Sequence, residues 1–343
     1  MTSRMRAEIT EQPAALRRTL DALLPHSADL GRLAADRRHV LFIARGSSDN
    51  AAVYGRTLVE VHAGKLATLA TPSVATAYRS RLDLDGVLAV AISQSGATEE
   101  IIETLAWASS CGAATVGVTN VAGSPLALSA DIALVTEAGP ELAVPATKTY
   151  TTALAALAVL GHALAPDPRF LEALLRTPDA AAEALASADA AAEMASMLGS
   201  VTGMVVTGRG FTQSTALEIA LKLKETCYLH AIGLSYADLL HGPIAVLDER
   251  TPAFLVSPAD GPILPGMIEL AQRVREVGAR AFAIGGDDAL NALCISSIQG
   301  TSLPESLAPI ALVIPGQLLV EALARQLGLD PDSPRTLTKV TQT

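Results

Sequence analysis

One local pattern occurs twice in this chain, and it restricts the folds open to it. Residues 42–46 and residues 206–210 each end an apolar run and continue with a small residue, an arginine and a glycine. A segment with helical character follows each of them. Further short apolar runs alternate with predicted helices in both halves, so the repeat predicts two β–α halves of similar plan.

The order of the predicted elements gives the fold class. Short apolar runs bounded by turn residues predict buried strands at 39–44, 87–92, 114–118, 132–135, 203–207, 253–256 and 281–284. Longer segments predict helices at 14–24, 51–63, 98–112, 149–165, 212–228 and 307–327. Alternating strands and helices predict an α/β protein with two mostly parallel sheets, each flanked by helices on both faces. Because aromatic residues make up only 3% of the chain, the core must be built from Ala, Leu, Val and Ile.

The same alternation divides the chain into segments. We predict an N-terminal helical segment over residues 1–30, a first domain over 31–170 and a second over 199–329. The Ala-rich stretch inside 171–198 predicts a connecting helix by propensity, and residues 330–343 form a C-terminal tail.

Charge and composition exclude several classes of function. A formal net charge of −10 argues against a nucleic-acid partner, which needs a basic surface. The three cysteines are widely separated, which predicts reduced core residues and neither a disulfide framework nor a metal clip. Residues 1–13 lack a signal-type apolar segment, and the apolar stretch 307–324 is broken by proline, glycine and glutamate. We therefore expect a cytoplasmic protein without a membrane partner.

The sharpest chemical signal follows the predicted strand at 87–92. Ser93, Gln94, Ser95 and Thr98 crowd with a glycine between this strand and a helix start. Hydroxyls, an amide and helix N–H groups at the carboxyl end of a parallel strand favour an oxyanion, usually phosphate. An ordinary helix start with a capping box would use the same residues, so that alternative stays open. Ser48 lies in a weaker loop of the same kind, where a plain turn is an equal alternative.

A second set of polar residues lies in the other half. Glu218, Lys222 and Glu225 are spaced four and three apart, so they share one face of a predicted helix. They form either a solvated ladder of ion pairs or a partly desolvated carboxylate suited to general base catalysis. His241 precedes Gly-Pro, a stiff turn that could present an imidazole titrating near neutral pH. Lys339 is, by position alone, an ordinary lysine of a C-terminal tail.

Seven segments in chain order resemble one family. They are residues 8–13, 45–48, 93–98, 147–151, 216–225, 240–243 and 334–339. The chain resembles the double sugar-isomerase (SIS) family, in particular the isomerase half of glucosamine-6-phosphate synthase and free-standing glucosamine-6-phosphate deaminases. The resemblance spans nearly the whole chain, and it implies two SIS domains with a tail that closes the active site.

The resemblance also implies a role for each catalytic position. Glu225 would move a proton between C1 and C2, and Lys222 beside it would stabilise the enediol oxyanion. His241 would open the sugar ring and would come from the partner subunit of a homodimer. Lys339 would act at the open-chain carbonyl.

A further set would bind the substrate. Ser93, Gln94, Ser95 and Thr98 would hold the 6-phosphate of a sugar, with Ser48 nearby. Backbone at Val144 and the side of Ala146 would line the pocket. The synthase carries a serine where this chain has Ala146, which removes one contact to a sugar hydroxyl. No cofactor and no metal are implied.

The activity that we expect follows from these roles. The chain runs from its first residues into the SIS part, without the synthase's ammonia-producing domain, so we expect the catabolic direction. The expected reaction converts an amino-sugar 6-phosphate, glucosamine 6-phosphate in the first place, to a ketose 6-phosphate and ammonia. A deglycase of fructosamine or fructoselysine 6-phosphates is the enzyme alternative, although such relatives tend to lack the terminal lysine. A non-catalytic sugar-phosphate sensor is the other.

Overall fold

The computed structural model of the protein describes residues 2–339. The strands within this range are β1 (His39–Ile43), β2 (Leu66–Leu69), β3 (Val87–Ile92), β4 (Ala114–Thr119), β5 (Ile132–Val135), β6 (Gly203–Gly208), β7 (His230–Ser235), β8 (Ala253–Ser257), β9 (Ala281–Gly285) and β10 (Ser296–Ile298). The helices of the first part are α1 (Arg4–Thr10), α2 (Gln12–Leu23), α3 (Ser27–Leu33), α4 (Ser47–His62), α5 (Ser73–Thr76), α6 (Glu99–Ser110), α7 (Pro125–Ser129) and α8 (Lys148–Leu164). Those of the second part are α9 (Pro168–Leu175), α10 (Thr177–Ala184), α11 (Ala188–Leu198), α12 (Thr212–Cys227), α13 (Tyr236–Leu240), α14 (Leu264–Glu276), α15 (Asp288–Asn291) and α16 (Ala308–Gln326).

The two sheets have the same topology. The first has the order β2-β1-β3-β4-β5 and the second the order β10-β9-β8-β6-β7, with five strands in each. Neighbouring strands in both sheets run parallel to each other. Counted from its own first strand, each sheet reads 2-1-3-4-5. The strand order therefore reverses between β1 and β3, and again between β6 and β8, and ligands of such sheets bind beyond the carboxyl ends at the reversal. The predicted α/β class with parallel sheets is confirmed.

The chain divides into two compact units assembled from separate segments. The first-sheet unit contains Ala14–Glu141, Lys148–Leu175 and the segment that begins at Thr338. The second-sheet unit contains the chain up to Pro13, Leu142–Thr147 and Arg176–Leu337.

A buried helix forms much of the core of the first-sheet unit. All but two of the residues of α8 are buried, and α8 packs against α3 and α4. Strand β4 is buried at every position. Because parallel sheets are covered on both faces, β4 is buried on both of its faces.

Helix α16 has the corresponding position in the second-sheet unit, where it packs against α11 and α12. Among residues 2–339, it is long and apolar enough to cross a membrane by length and composition. However, 89% of that apolar window is buried inside the protein, as in the core helix of a soluble fold. Pro315 lies within the helix and is itself buried, which agrees with the predicted core segment.

The Ala-rich stretch differs from the single connecting helix expected there. It forms α10 and α11, separated by the 3₁₀ turn Leu185–Ser187. Propensity predicts the helical state of this stretch but not its break, because the packing of α10 and α11 against α16 is a tertiary effect.

Candidate functional site

The loop after β3 forms a tight turn at the strand-order reversal of the first sheet. The N–H of Ser93 donates to Val118 O at 3.0 Å, and the N–H of Gly96 donates to Ser93 O at 3.1 Å. Gly96 has φ +62°, and a Cβ there would lie 2.1 Å from the Oγ of Ser124. Only glycine fits this position, because both the backbone conformation and the space exclude a side chain.

Two hydroxyls of this loop, those of Ser93 and Thr98, lie against each other. Thr98 is the N-cap residue of α6, but its side chain makes no cap hydrogen bond. Its Oγ1 instead lies 3.3 Å from the Oγ of Ser93. The Oγ of Ser95 accepts from the N–H of Ala97 at 3.2 Å, which leaves its hydroxyl proton for another acceptor. The Thr98 side chain therefore does not cap α6, and a cluster of hydroxyls lies at the start of α6 with half-buried Gln94.

The loop after β1 lies beside it. Ser48 is half-buried in the first turn of α4. Gly46 before it has φ +58°, the left-handed conformation that the sharp entry into α4 requires. The Arg45 guanidinium forms a two-point ion pair with Glu100 of α6, at 2.9 and 3.3 Å. Burial raises the pKa of Asp49, and the charge of Arg45 opposes this rise.

The second-sheet unit holds the carboxylate and lysine cluster predicted on α12. The Lys222 ammonium is 2.5 Å from the Glu225 carboxylate and 3.5 Å from that of Glu218. The exposed fractions of Lys222, Glu225 and Glu218 are 2%, 25% and 0%, respectively. Glu225 is thus the member of the cluster that a substrate can reach. Glu218 and Lys222 are buried and paired, as buried charges must be, so the solvated-ladder alternative is excluded.

His241 ends the short helix α13 and is exposed. The backbone N–H of His241 donates to Asp238 O at 3.1 Å, and Gly242 after it has φ +127°. This conformation favours glycine and makes a turn directly after the exposed His241.

Lys339 is held by a buried carboxylate of the first-sheet unit. Its ammonium lies 2.6 Å from Oε2 of Glu141, whose side chain has no exposed surface. Thr149 at the start of α8 donates to the same carboxylate from its N–H at 3.1 Å and from its hydroxyl at 2.6 Å. The last described residue is therefore anchored by a carboxylate that α8 holds in place.

The segment predicted to line the pocket belongs to the second-sheet unit. Val144 and Ala146 are half-buried, and the N–H of Val144 donates to Asp332 O at 2.9 Å. The buried Glu8 of α1 accepts hydrogen bonds from the N–H groups of Leu142 and Ala143. Helix α1 thus fixes the backbone that leads into the segment.

The tail is also fixed within the second-sheet unit. The N–H of Arg335 donates to the Tyr228 hydroxyl at 2.8 Å, and the Arg335 guanidinium lies 4.2 Å from the centre of the Tyr228 ring. Tyr228 ends α12 in the left-handed conformation, with φ +57°. The residue that ends the helix of Glu225 thus also holds the tail that leads to Lys339.

The predicted site residues form two groups, one in each unit. In the first-sheet unit the structure brings together Ser93, Gln94, Ser95 and Thr98, with Ser48 on the adjacent loop, and it places Lys339 on Glu141. In the second-sheet unit it brings Lys222 and Glu225 together and exposes His241. Within residues 2–339, no group of three or more His, Cys, Asp or Glu side chains is arranged to hold a metal ion.

Comparison with known proteins gives the family. The SIS-domain family model matches residues 33–163 and 197–323. The chain is 34% identical over 349 residues to the glutamine–fructose-6-phosphate aminotransferase (isomerizing) of Thermococcus kodakarensis, covering 98% of this chain and 57% of that protein. An enzyme of the same name from Thermus thermophilus is 37% identical over 355 residues, with 98% and 58% covered. The chain thus spans little more than half the length of these curated relatives.

Solved structures agree. The C-terminal domain of glucosamine-fructose-6-phosphate aminotransferase from Francisella tularensis superposes with a TM-score of 0.89 at 29% identity, covering 97% of this chain and 99% of that one. Glucosamine-6-phosphate deaminase from Thermotoga maritima gives 0.78 at 23% identity, with 99% and 100% covered, a similarity of fold alone. The protein belongs to the SIS-domain family, as its sequence motifs predicted.

Sequence reasoning missed three partners of these residues. They are Glu141, which holds Lys339; Glu100, which pairs with Arg45; and Tyr228, which holds Arg335. None carries a local signal, because each partner lies far away in the sequence. Glu218 was visible by its spacing, but its burial was not.

Proposed function

We propose that the protein converts an amino-sugar 6-phosphate to a ketose 6-phosphate and ammonia by isomerisation and deamination. Glucosamine 6-phosphate is the first candidate substrate. The observation that carries the proposal is the pairing of a reachable carboxylate, Glu225, with the buried ammonium of Lys222 at 2.5 Å. A proton transfer between adjacent carbons needs one base that reaches both carbons and a donor for the oxygen that becomes negative.

The reaction balances with these groups. Glu225 takes the proton from C2 of the open-chain sugar, and the electron pair moves through the C1–C2 bond to the carbonyl oxygen at C1. Lys222 stabilises that oxygen, and protonated Glu225 returns the proton to C1. As C1 is protonated, the lone pair of the amine forms the C2=N bond, and a proton passes from this nitrogen to the C1 oxygen. The product is a ketose imine at C2, to which water adds before ammonia leaves.

Glu218 can balance the charge of Lys222 during this proton transfer. When Glu225 takes up a proton it becomes neutral, and a buried ammonium left without a partner is costly. The Glu218 carboxylate, 3.5 Å from Lys222, then remains to pair with it. We therefore assign Glu218 the role of keeping Lys222 charged through the proton transfer.

The other residues receive the roles that the family resemblance implies. The donors at 93–98 and Ser48 bind the phosphate, whose binding energy holds the open chain in position. His241 opens the ring and is contributed across a homodimer interface. Lys339 acts at the carbonyl, and the backbone around Val144 and Ala146 lines the pocket.

Glu225→Gln tests the proposal. The amide keeps the shape and cannot accept the proton, so turnover should fall by about 1,000-fold while glucosamine 6-phosphate still binds. Two readouts follow the step: ammonia release, and exchange of deuterium from solvent into C2 of the substrate. Glu276→Gln, an exposed glutamate of α14, is the matched control and should leave both rates unchanged.

The substrates assayed also separate the alternatives. Release of a free amine from fructosamine 6-phosphates without ammonia from glucosamine 6-phosphate would identify a deglycase. Tight binding without turnover of either substrate would identify a sensor. Full activity of Glu225→Gln would remove the base from the mechanism.

A further inference from the structure

Two loops leave the first sheet side by side where its strand order reverses. Ile43 of β1 pairs with Ala91 of β3 in the register of the sheet. Two residues further on in each segment, Arg45 and Ser93 lie in the loops that follow these strands. Because neighbouring strands lie about 4.8 Å apart, the loop that carries Arg45 begins beside the phosphate loop, residues 93–98.

Both helices that start at this reversal carry an acid in the first turn. Helix α4 has Asp49, and helix α6 has Glu99 and Glu100. An acid there suits the helix dipole, but it repels a phosphate dianion bound at the same N–H groups. The phosphate loop itself contains no lysine or arginine, so its donors are neutral.

Arg45 interacts with two of these acids, Glu100 and Asp49. It holds the Glu100 carboxylate by two N–H···O bonds, at 2.9 and 3.3 Å. Its charge also acts on Asp49, whose pKa it lowers against the effect of burial. The Arg45 side chain is 47% exposed, and ion pairs of such exposure contribute little to folding stability.

We propose that Arg45 determines the affinity of this loop for phosphate by cancelling the charge of Glu100, the carboxylate that would otherwise repel the dianion. Arg45 thus affects phosphate binding through Glu100 and does not itself contact the phosphate. The inference rests on the proposed function only for the assignment of the loop to phosphate, and it does not depend on the deamination chemistry.

A charge cycle of three variants tests this role. Dissociation constants for glucosamine 6-phosphate and for glucosamine are measured by calorimetry at 20 mM and 200 mM NaCl on wild type, Arg45→Ala, Glu100→Gln and the double variant, all in the Glu225→Gln background so that the bound sugar is not converted. Arg45→Ala should bind the phosphorylated sugar about 10-fold more weakly at low salt and recover partly at high salt. Glu100→Gln should bind it about 3-fold more tightly, and the double variant should match wild type within about 2-fold. The dissociation constant for glucosamine should be the same in all four proteins.

Two controls accompany the cycle. Arg32→Ala removes an exposed arginine of α3 that pairs with Asp29, and it should change neither ligand's affinity. Arg45→Gln repeats the charge loss with a longer polar side chain, in case the alanine variant folds poorly.

Each other outcome overturns a defined claim. A double variant as weak as Arg45→Ala would mean that Arg45 touches the phosphate directly, against the proposed role. Equal binding by wild type and Arg45→Ala would remove Arg45 from the site altogether. If wild type binds neither glucosamine 6-phosphate nor inorganic phosphate, the phosphate assignment and the proposed function both fail. If the four affinities follow the stated pattern but the wild-type protein releases no ammonia, the role of Arg45 is supported and only the proposed deamination is contradicted.

Discussion

The hydroxyls of the loop after β3 should discriminate phosphorylated sugars from plain ones. Ser95→Ala together with Thr98→Ala removes two donors to the dianion. Because hydrogen bonds to charged groups contribute about 1.5–3 kcal/mol each, affinity for glucosamine 6-phosphate should fall about 100-fold or more. Affinity for glucosamine should change less than about 2-fold, and calorimetry on both ligands measures the difference.

Ser129→Ala is the matched control for that pair. Its Oγ donates to Leu126 O within α7 of the same unit, outside the loop. Equal weakening of both ligands in the double variant would contradict a phosphate-binding role and indicate a general loss of the pocket.

Single residues were predictable where their chemistry is local. The spacing of Lys222 and Glu225 placed them on one helix face, and the structure confirms that they touch. The partner of Lys339 was not predictable, since Glu141 lies 198 positions away along the chain. Only the tertiary fold makes that carboxylate buried and available.

At the scale of elements, the central strands of both sheets were visible, but three of the four edge strands within residues 2–339 were not. β3 and β8 are apolar and buried along most of their length. The missed strands β2 and β7 are edge strands of their sheets and alternate exposed with buried positions. β10, the other missed edge strand, has only three residues, two of them serine. These three segments lack the apolar run on which strand prediction relies, whereas the edge strand β5 has such a run and was predicted.

One missed helix has a different cause. Helix α14 begins with Leu264, Pro265 and Gly266, a sequence that indicates a turn when read alone. Pro within the first turn of a helix is well tolerated, because the N–H that it lacks would have no partner there.

The contact between α12 and the tail gives a prediction for these elements. Tyr228→Phe removes the hydroxyl that accepts from the N–H of Arg335 but keeps the ring under the guanidinium. If this bond holds the tail for catalysis, kcat should fall about 5-fold, the effect of about 1 kcal/mol. KM should stay unchanged, because the phosphate is held by other residues.

Stability gives the control for that variant. Phe has the same left-handed strain as Tyr at this position, so Tm should shift by less than about 2 °C. Limited proteolysis should cut the tail faster in the variant than in wild type. An unchanged kcat with a faster cut would show that the tail anchor is structural only.

At the scale of the whole molecule, the internal repeat predicted two halves of one plan, and the structure gives both sheets the same strand order. The assembly of each unit from separate segments was not predictable. Leu142–Thr147 belongs to the second-sheet unit although the chain on both sides of it belongs to the first-sheet unit. Its place depends on bonds to Glu8 and Asp332, and both lie far from it in sequence.

The net charge of the chain gives a last prediction. A protein of charge −10 repels a phosphate dianion at long range, and salt screens that repulsion. The donors of the phosphate loop are neutral hydroxyls, an amide and N–H groups, and Arg45 is paired with Glu100. Raising NaCl from 10 to 200 mM should therefore leave the Kd for glucosamine 6-phosphate unchanged or lower it up to about 3-fold. Repeating the titration in sodium acetate separates screening from competition by chloride. A loss of affinity of about 10-fold in both salts would mean that an unpaired cation binds the phosphate, and the neutral loop would then be a minor part of the site.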